Sequence, residues 1–333
     1  MPANDSSSRT YSVIMEMENC RTICWAELRE VVMVLAEQIG DHVRAGGKRP
    51  EVILAHPGPE SESADLMAAI FEEVPQLGEV ACVSAVGVPE GRYYELKNAG
   101  ISKAAGELIL FLDSDTLVEP QWLATLLNAL ENPEVIAASG HTYLNYNDLI
   151  SRMLALAWVF PLRDRDGKAS RKRALNVNNC GFQADWIRVH PFPIDNGFKV
   201  SCTKLIKVME AASIQFARAP AYAKHAPLTG WRFLVWRALV TGRDADRKCE
   251  DLKSRSKIRR FRAAVQFCLK MERRTITRIF GKYRQVALKA YQVPLVLLLG
   301  CLFYLLAFIG QLGRLLGLVA DIPETVPAYA EHH

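Results

Sequence analysis

Three observations in this chain predict an α/β fold built on a doubly wound, mixed but mainly parallel sheet. Short β-prone runs alternate with helix-period segments from residue 11 to residue 86. Residues 108–112 (Leu-Ile-Leu-Phe-Leu) are apolar at every position, as in a strand covered on both faces. Two carboxylates, Asp113 and Asp115, leave the carboxyl end of that run, which is where open α/β sheets bind their ligands.

Taken in order, 11–15 reads as the opening strand, with Glu16, Glu18 and Asn19 at its carboxyl end. Residues 22–39 place Ile23, Leu28, Val31, Val32, Leu35 and Ile39 at near-helical spacing, which predicts an amphipathic helix. The turn 46–50 (Gly-Gly-Lys-Arg-Pro) leads into a second strand, 51–55, that ends at His56-Pro57-Gly58-Pro59. A helix and strand at 62–73 and 79–86 come next, so 108–112 is the fourth strand. Downstream, 133–140 reads as a strand, 148–160 as an apolar helix-like segment, 163–173 as a charged loop, and 198–212 as a helix.

Half of the 333 residues are hydrophobic and 23% are charged, which excludes a disordered chain and leaves room for one large domain or two ordinary ones. The eight cysteines show no C-x-x-C pairing or Cys/His cluster, so zinc and disulfide frameworks are not expected, and reduced thiols in the cytosol are. The first ten residues are polar and lack the apolar core of a signal peptide.

The net charge of +5 is unevenly spread. Residues 231–290 hold eighteen Lys/Arg against five Asp/Glu, and the remainder is net acidic. A basic block suits nucleic acid, an anionic membrane or a solvated helix. The neighbouring C-terminal segment favours the membrane. Residues 293–309 are apolar without a charge, and 310–320 stay apolar except for Gln311 and Arg314. Roughly 20 such residues cross a bilayer, and Lys/Arg enrichment marks the cytoplasmic flank. A buried core helix or an interfacial hairpin is the competing reading, given Pro294, Gly300 and Arg314. No nucleic acid polymer is expected as a partner.

Carboxylates at i and i+2 on a turn can share one hard divalent cation, and Mg²⁺ or Mn²⁺ commonly joins such groups to phosphate oxygens. Residues 97–115 read K-N-A-G-I-S-K-A-A-G-E-L-I-L-F-L-D-S-D, with E-P-Q-W-L at 119–123. In strand order and in the spacing of Lys97, Asn98, Gly100, Ala104, Gly106, Asp113 and Asp115, this resembles the nucleotide-binding half of the family 2 glycosyltransferases, of the GT-A fold. The resemblance covers about 11–225 and suits the bacterial membrane-anchored type.

The resemblance implies a metal-dependent transferase that moves one sugar from a nucleotide-diphosphate sugar to a saccharide or lipid-linked acceptor. Asp115, Asp113 and His225 would hold the Mn²⁺ or Mg²⁺. Glu18, Asn19, Lys97, Asn98, Gly100 and Asp113 would bind the donor, and Asn178 and Asn179 would line the sugar pocket. Several positions keep a second reading: Lys97 as a solvated surface lysine, Gly106 as a helix C-cap, Asn178 and Asn179 as turn residues, His225 as a structural histidine. The first strand ends in Glu16-Met17-Glu18-Asn19 where the family has Pro-x-Tyr-Asn, and the second in Ala55-His56-Pro57 where the family has an acid, which leaves the base open.

An inverting transfer needs a carboxylate to deprotonate the acceptor hydroxyl. The start of the 198–212 helix, Val200-Ser201-Cys202-Thr203, has no acid. Asp195 is the nearest candidate base, or else a loop or capping aspartate. That gap keeps a catalytically silent, membrane-anchored sugar-nucleotide binder as the alternative. Gly242-Arg243-Asp244 reads as a turn near the acceptor. No Gln-x-x-Arg-Trp motif is present and only one span is expected, which favours non-processive transfer.

The expected organisation is a polar tail (1–10), a GT-A domain (11–228), a basic helical membrane-proximal region (229–290), a transmembrane segment (291–320) and a tail (321–333). The catalytic domain is expected on the cytoplasmic side of the cytoplasmic membrane.

Overall fold

The computed structural model describes residues 9–21, 24–158, 160–163, 175–194, 198–214, 216–226, 230–252 and 255–318. The chain forms two compact units, one of residues 1–142, 164–194 and 204–225, the other of 143–163, 195–203 and 226–333.

The first unit is organised by an eight-stranded sheet. Its strands are β1 (Tyr11–Glu16), β2 (Glu51–His56), β3 (Cys82–Gly87), β4 (Leu108–Asp113), β5 (Thr116–Val118), β6 (Ala137–Leu144), β7 (Asn179–Gln183) and β8 (Phe216–His225). They lie in the order β3-β2-β1-β4-β7-β6-β8-β5. β3, β2, β1 and β4 are parallel, whereas β7 is antiparallel to both β4 and β6, and β8 is antiparallel to β5. The sheet is therefore mixed. β1 and β4 are buried at every position, as expected of central strands covered on both faces, and in β4 the run 108–112 is apolar throughout.

The first helices run α1 (Trp25–Arg44), α2 (Ser63–Glu73), α3 (Gln76–Val80), α4 (Tyr93–Lys103) and α5 (Trp122–Leu130). α1 starts three residues later than the periodicity predicts and buries Leu28, Val31, Val32, Leu35 and Ile39 along one face. α4 packs on β1 at Gly100, where a Cβ would stand 2.5 Å from Ile14 Cγ2.

One constraint bends the sheet. Ser114 and Asp115 alone join β4 to β5, yet four strand spacings separate them in the sheet order. Four spacings of a flat sheet span about 19 Å, and three Cα–Cα steps reach at most about 11 Å. The sheet must curl to bring β5 back toward the end of β4.

The second unit contains α6 (Leu149–Ala157), α9 (Trp231–Leu252), α10 (Lys257–Lys282) and α11 (Val293–Leu316). Two further helices, α7 (Ala184–Val189) and α8 (Phe198–Ala211), lie between α6 and α9 in the chain. Met153, Leu156, Phe233, Trp236, Phe303 and Tyr304 lie in the apolar centre of the helical unit. Gly242-Arg243-Asp244 is not a turn but the middle of α9. The glycine is there for packing: a Cβ at Gly242 would stand 1.8 Å from the carbonyl oxygen of Ala307 on α11. Gly310 answers it, with its Cβ position 2.5 Å from the Leu239 carbonyl oxygen. Arg314, the one charge in the apolar segment, pairs with Asp246 at 3.0 Å and Glu250 at 2.8 Å, and Arg260 of α10 shares both acids.

Among the described residues, one helix, Ala290–Leu316, is long and apolar enough to cross a membrane.

Candidate active site

The candidate site forms where the carboxyl ends of β1 and β4 meet. Parallel register sets Glu16 beside Asp113, and the Ser114 N–H donates to the Glu16 carbonyl at 2.9 Å, holding the turn against β1. Two acids thus sit side by side in a buried sheet end, with Asp115 just beyond.

Asp113 is held from α4. Lys97 donates to Asp113 Oδ1 at 2.6 Å and the Tyr93 hydroxyl donates to Oδ2 at 2.9 Å. Tyr93 and Lys97 are four residues apart and so share one helix face. The Lys97 side chain is 0% exposed, and its amine lies 4.5 Å from the Tyr93 ring centroid and 5.5 Å from that of Phe111. A fully buried ammonium persists only when paired, and here the partner is Asp113. Burial, then the Asp113 charge, pushes the Tyr93 hydroxyl well above its ordinary value, which keeps it a donor.

Asp115 has different partners. Asn19, in the single 3₁₀ turn Glu18–Arg21 after β1, donates through Nδ2 to Asp115 Oδ2 at 2.8 Å. His225 Nε2 lies 3.6 Å from the same oxygen, because β5 and β8 pair with Thr116 opposite His225. Burial raises the Asp115 carboxyl above the usual carboxylate range, against the lowering effect of His225, and the neighbouring Asp113 raises it further.

Glu16 is 0% exposed. Its Oε1 accepts from the Glu18 N–H, and its Oε2 is buried without a hydrogen-bond partner among the described residues. Burial first, then the Asp113 charge, raises its carboxyl well above the ordinary range.

The other expected residues take these places. Asn98 clamps the backbone of Phe192 in both directions, accepting at Oδ1 from its N–H at 3.0 Å and donating through Nδ2 to its carbonyl at 2.8 Å. Asn179 is buried, accepting from Trp122 Nε1 at 2.8 Å and donating to the Ala221 carbonyl at 3.0 Å. Asn178 accepts from the Thr142 hydroxyl at 3.0 Å. Gly100 serves the contact between α4 and β1. Asp195 lies outside the described residues. The structure therefore brings Asn19, Lys97, Asp113, Asp115 and His225 together.

Tyr93 and Glu16 escaped the sequence-based site. Both left a signal: Tyr93 stands one helical turn before Lys97, and Glu16 is a charge that directly follows the apolar stretch 13–15.

Three acids, Glu16, Asp113 and Asp115, share a water-poor region with one buried ammonium. The carboxylate oxygen of Asp115 and the imidazole nitrogen of His225 beside it, with Glu16 Oε2, unpartnered among the described residues, buried nearby, fit a divalent cation accepting O and N donors. Among the described residues, no cluster of three or more His, Cys, Asp or Glu side chains holds a metal by itself, so further ligands would have to come from a bound molecule and water.

A family model described as glycosyl transferase family 2 matches residues 12–191, more than half of the chain. No curated protein matches. Among solved structures, a mannosyltransferase from Pyrobaculum calidifontis, determined with GDP-Man and Mn²⁺, is 16% identical, covers 93% of this chain and 88% of its own, and superposes with a TM-score of 0.54. The S. aureus protein TarS, determined with UDP-GlcNAc, is 12% identical over 97% of this chain and 99% of its own, with a TM-score of 0.47. The first of these supports the GT-A fold.

Proposed function

The chain belongs to the family 2 glycosyltransferases, and from that premise we propose that it moves one sugar from a nucleotide-diphosphate sugar to a saccharide or lipid-linked acceptor at the cytoplasmic membrane. The reading rests above all on one observation: at Asp115, in the turn after a buried strand, a single carboxylate oxygen accepts from Asn19 at 2.8 Å and has the His225 imidazole 3.6 Å away.

Asp115 and His225, with Asp113 close by, would hold Mn²⁺ or Mg²⁺. When bound, the ion offsets the negative charge that collects on the nucleotide diphosphate as it leaves. The protein's own part is positional. Lys97 and Tyr93 fix both oxygens of Asp113, and Asn19 orients Asp115. The acceptor hydroxyl then attacks the anomeric carbon, the bond to the diphosphate oxygen breaks, and the hydroxyl proton passes to a base. We assign that base to Asp195. Glu18 and Asn19 stand at the carboxyl end of β1, where a nucleotide would lie in an open sheet of this kind. The membrane is supported by the apolar helix Ala290–Leu316 and by the basic residues of 231–290.

A donor panel tests the proposal. GDP-Man and Mn²⁺, found with the Pyrobaculum mannosyltransferase, are the first pair to try. Purified protein with membrane extract as acceptor is expected to release nucleotide diphosphate from one donor, only with the ion and only with acceptor present. No acceptor-dependent release from any donor would overturn it in favour of a silent sugar-nucleotide binder, and undiminished turnover in Asp195→Asn would remove the assigned base.

A further inference from the structure

α10 and α11 lie side by side and antiparallel. At one end Arg260 and Arg314 share Asp246. Further along, the Cys268 thiol is 3.7 Å from the Tyr304 carbonyl oxygen. Beyond that, a Cβ at Gly300 would stand 2.8 Å from Thr275 Cγ2. As the numbers rise along α10 they fall along α11, so the two share most of their length.

This pairing bears on how α11 meets a bilayer. α10 carries nine Lys/Arg and one Glu. If α11 crossed the hydrocarbon, α10 would be carried in beside it with those charges, which membrane interiors exclude.

Both helices also leave an apolar stripe uncovered. On α10, Ile258, Phe261, Leu269, Ile276 and Phe280 are exposed, and at 100° per residue they fall within one face. Exposed Arg259, Arg262, Lys270 and Arg273 lie along one margin of that face. On α11, Leu295, Leu298, Leu305, Ile309 and Leu316 are exposed along a single stripe without a charge. An apolar stripe edged by Lys/Arg is the pattern of a helix lying in a membrane interface.

We propose that this helical unit binds the surface of an anionic bilayer in the plane of the membrane, with the exposed apolar side chains at the headgroup–acyl boundary and the arginines and lysines among lipid phosphates, and that α11 does not cross. Charge complementarity favours lipid over a second copy of this chain, since two such faces would bring like charges together. The inference rests on the reading that the enzyme works at a membrane, but not on its donor or its chemistry.

Flotation of the full chain with preformed vesicles tests it, using phosphatidylcholine alone and phosphatidylcholine with phosphatidylglycerol. Binding to the anionic vesicles should exceed binding to neutral ones by about tenfold or more and fall with salt, since each basic residue near the surface adds to the attraction. The variant Phe261→Ser/Leu269→Ser/Phe280→Ser, altered only at exposed positions, should lose most binding while keeping its circular dichroism. In inside-out membrane vesicles from an expressing bacterium, a tag after His333 should be digested by added protease. A protected tag would overturn the proposal in favour of a span. Equal, salt-insensitive binding to both lipids would overturn the charge argument, and self-association abolished by the serine variant, with no vesicle binding, would assign the face to a second copy. Donor binding measured on the same preparation keeps the two readings apart, because either can fail alone.

Discussion

The Lys97 ammonium donates to Asp113 Oδ1 at 2.6 Å, with both side chains buried. The contact ties α4 to the end of β4 and joins the first residue of the pattern 97–115 to the first of its two aspartates. It gives the lysine a partner within the protein in place of a solvated surface position.

Loss of one member of that pair exposes its cost. Lys97→Met leaves Asp113 buried without its cation, which is expected to destabilise the protein by about 3–5 kcal/mol. Chemical denaturation at neutral pH measures it, and Lys97→Met combined with Asp113→Asn should recover most of the loss. A Lys97→Met midpoint equal to the parent's would contradict the role given to the pair.

Glu16 should make stability depend on pH. Burial and the neighbouring Asp113 raise its carboxyl well above the ordinary range, so the folded protein retains a proton that the unfolded chain releases near pH ~4.3. The contribution is fully present below that unfolded value and is lost as the pH rises through the raised folded value. With divalent ions chelated, Glu16→Gln is expected to be more stable than the parent at neutral pH, and the gap should close as the pH falls below the unfolded value. Denaturation midpoints across that range measure it; a gap independent of pH would contradict the assignment.

Gly106 predicts a steric effect. A Cβ there would stand 2.6 Å from Ser12 N and Tyr11 C, both backbone atoms that cannot step aside. Gly106→Ala should cost about 1–3 kcal/mol, as overpacking does. Gly281, in the last turn of α10 with nothing within 4 Å of its Cβ position, is the control: Gly281→Ala should cost nothing and gain at most about 0.5 kcal/mol, less than in the middle of a helix. Thermal denaturation of the two variants separates crowding from a general cost of replacing glycine.

Much of the first unit was legible in the sequence because its signals are local. The apolar run before Asp113 and the helical period of Leu28, Val31, Val32 and Leu35 each belong to one segment. β5 was not legible: it is three residues long, and its pairing of Thr116 with His225 is fixed by a curl of the sheet that no local pattern encodes. For the same reason His225 was reached only through the family resemblance. Asn98 and Asn179 show the opposite limit. Their residue type announces hydrogen bonding, but only the structure says that Phe192, Trp122 and Ala221 are the partners. Gly242-Arg243-Asp244 has turn-like composition, yet it lies within α9, where its glycine admits the close approach of α11.

The central claim is that Asp115 anchors an ion-dependent donor site, and isothermal calorimetry with a panel of nucleotide-diphosphate sugars tests it most directly. The parent protein is expected to bind one donor with Mn²⁺ and lose that binding when the ion is chelated. Asp115→Asn, with its melting curve recorded as a folding control, should bind about 100-fold more weakly or less, given that losing even an outer partner of a metal ligand costs 10–100-fold. Donor binding by Asp115→Asn equal to the parent's, or full binding by the parent in chelator, would contradict it.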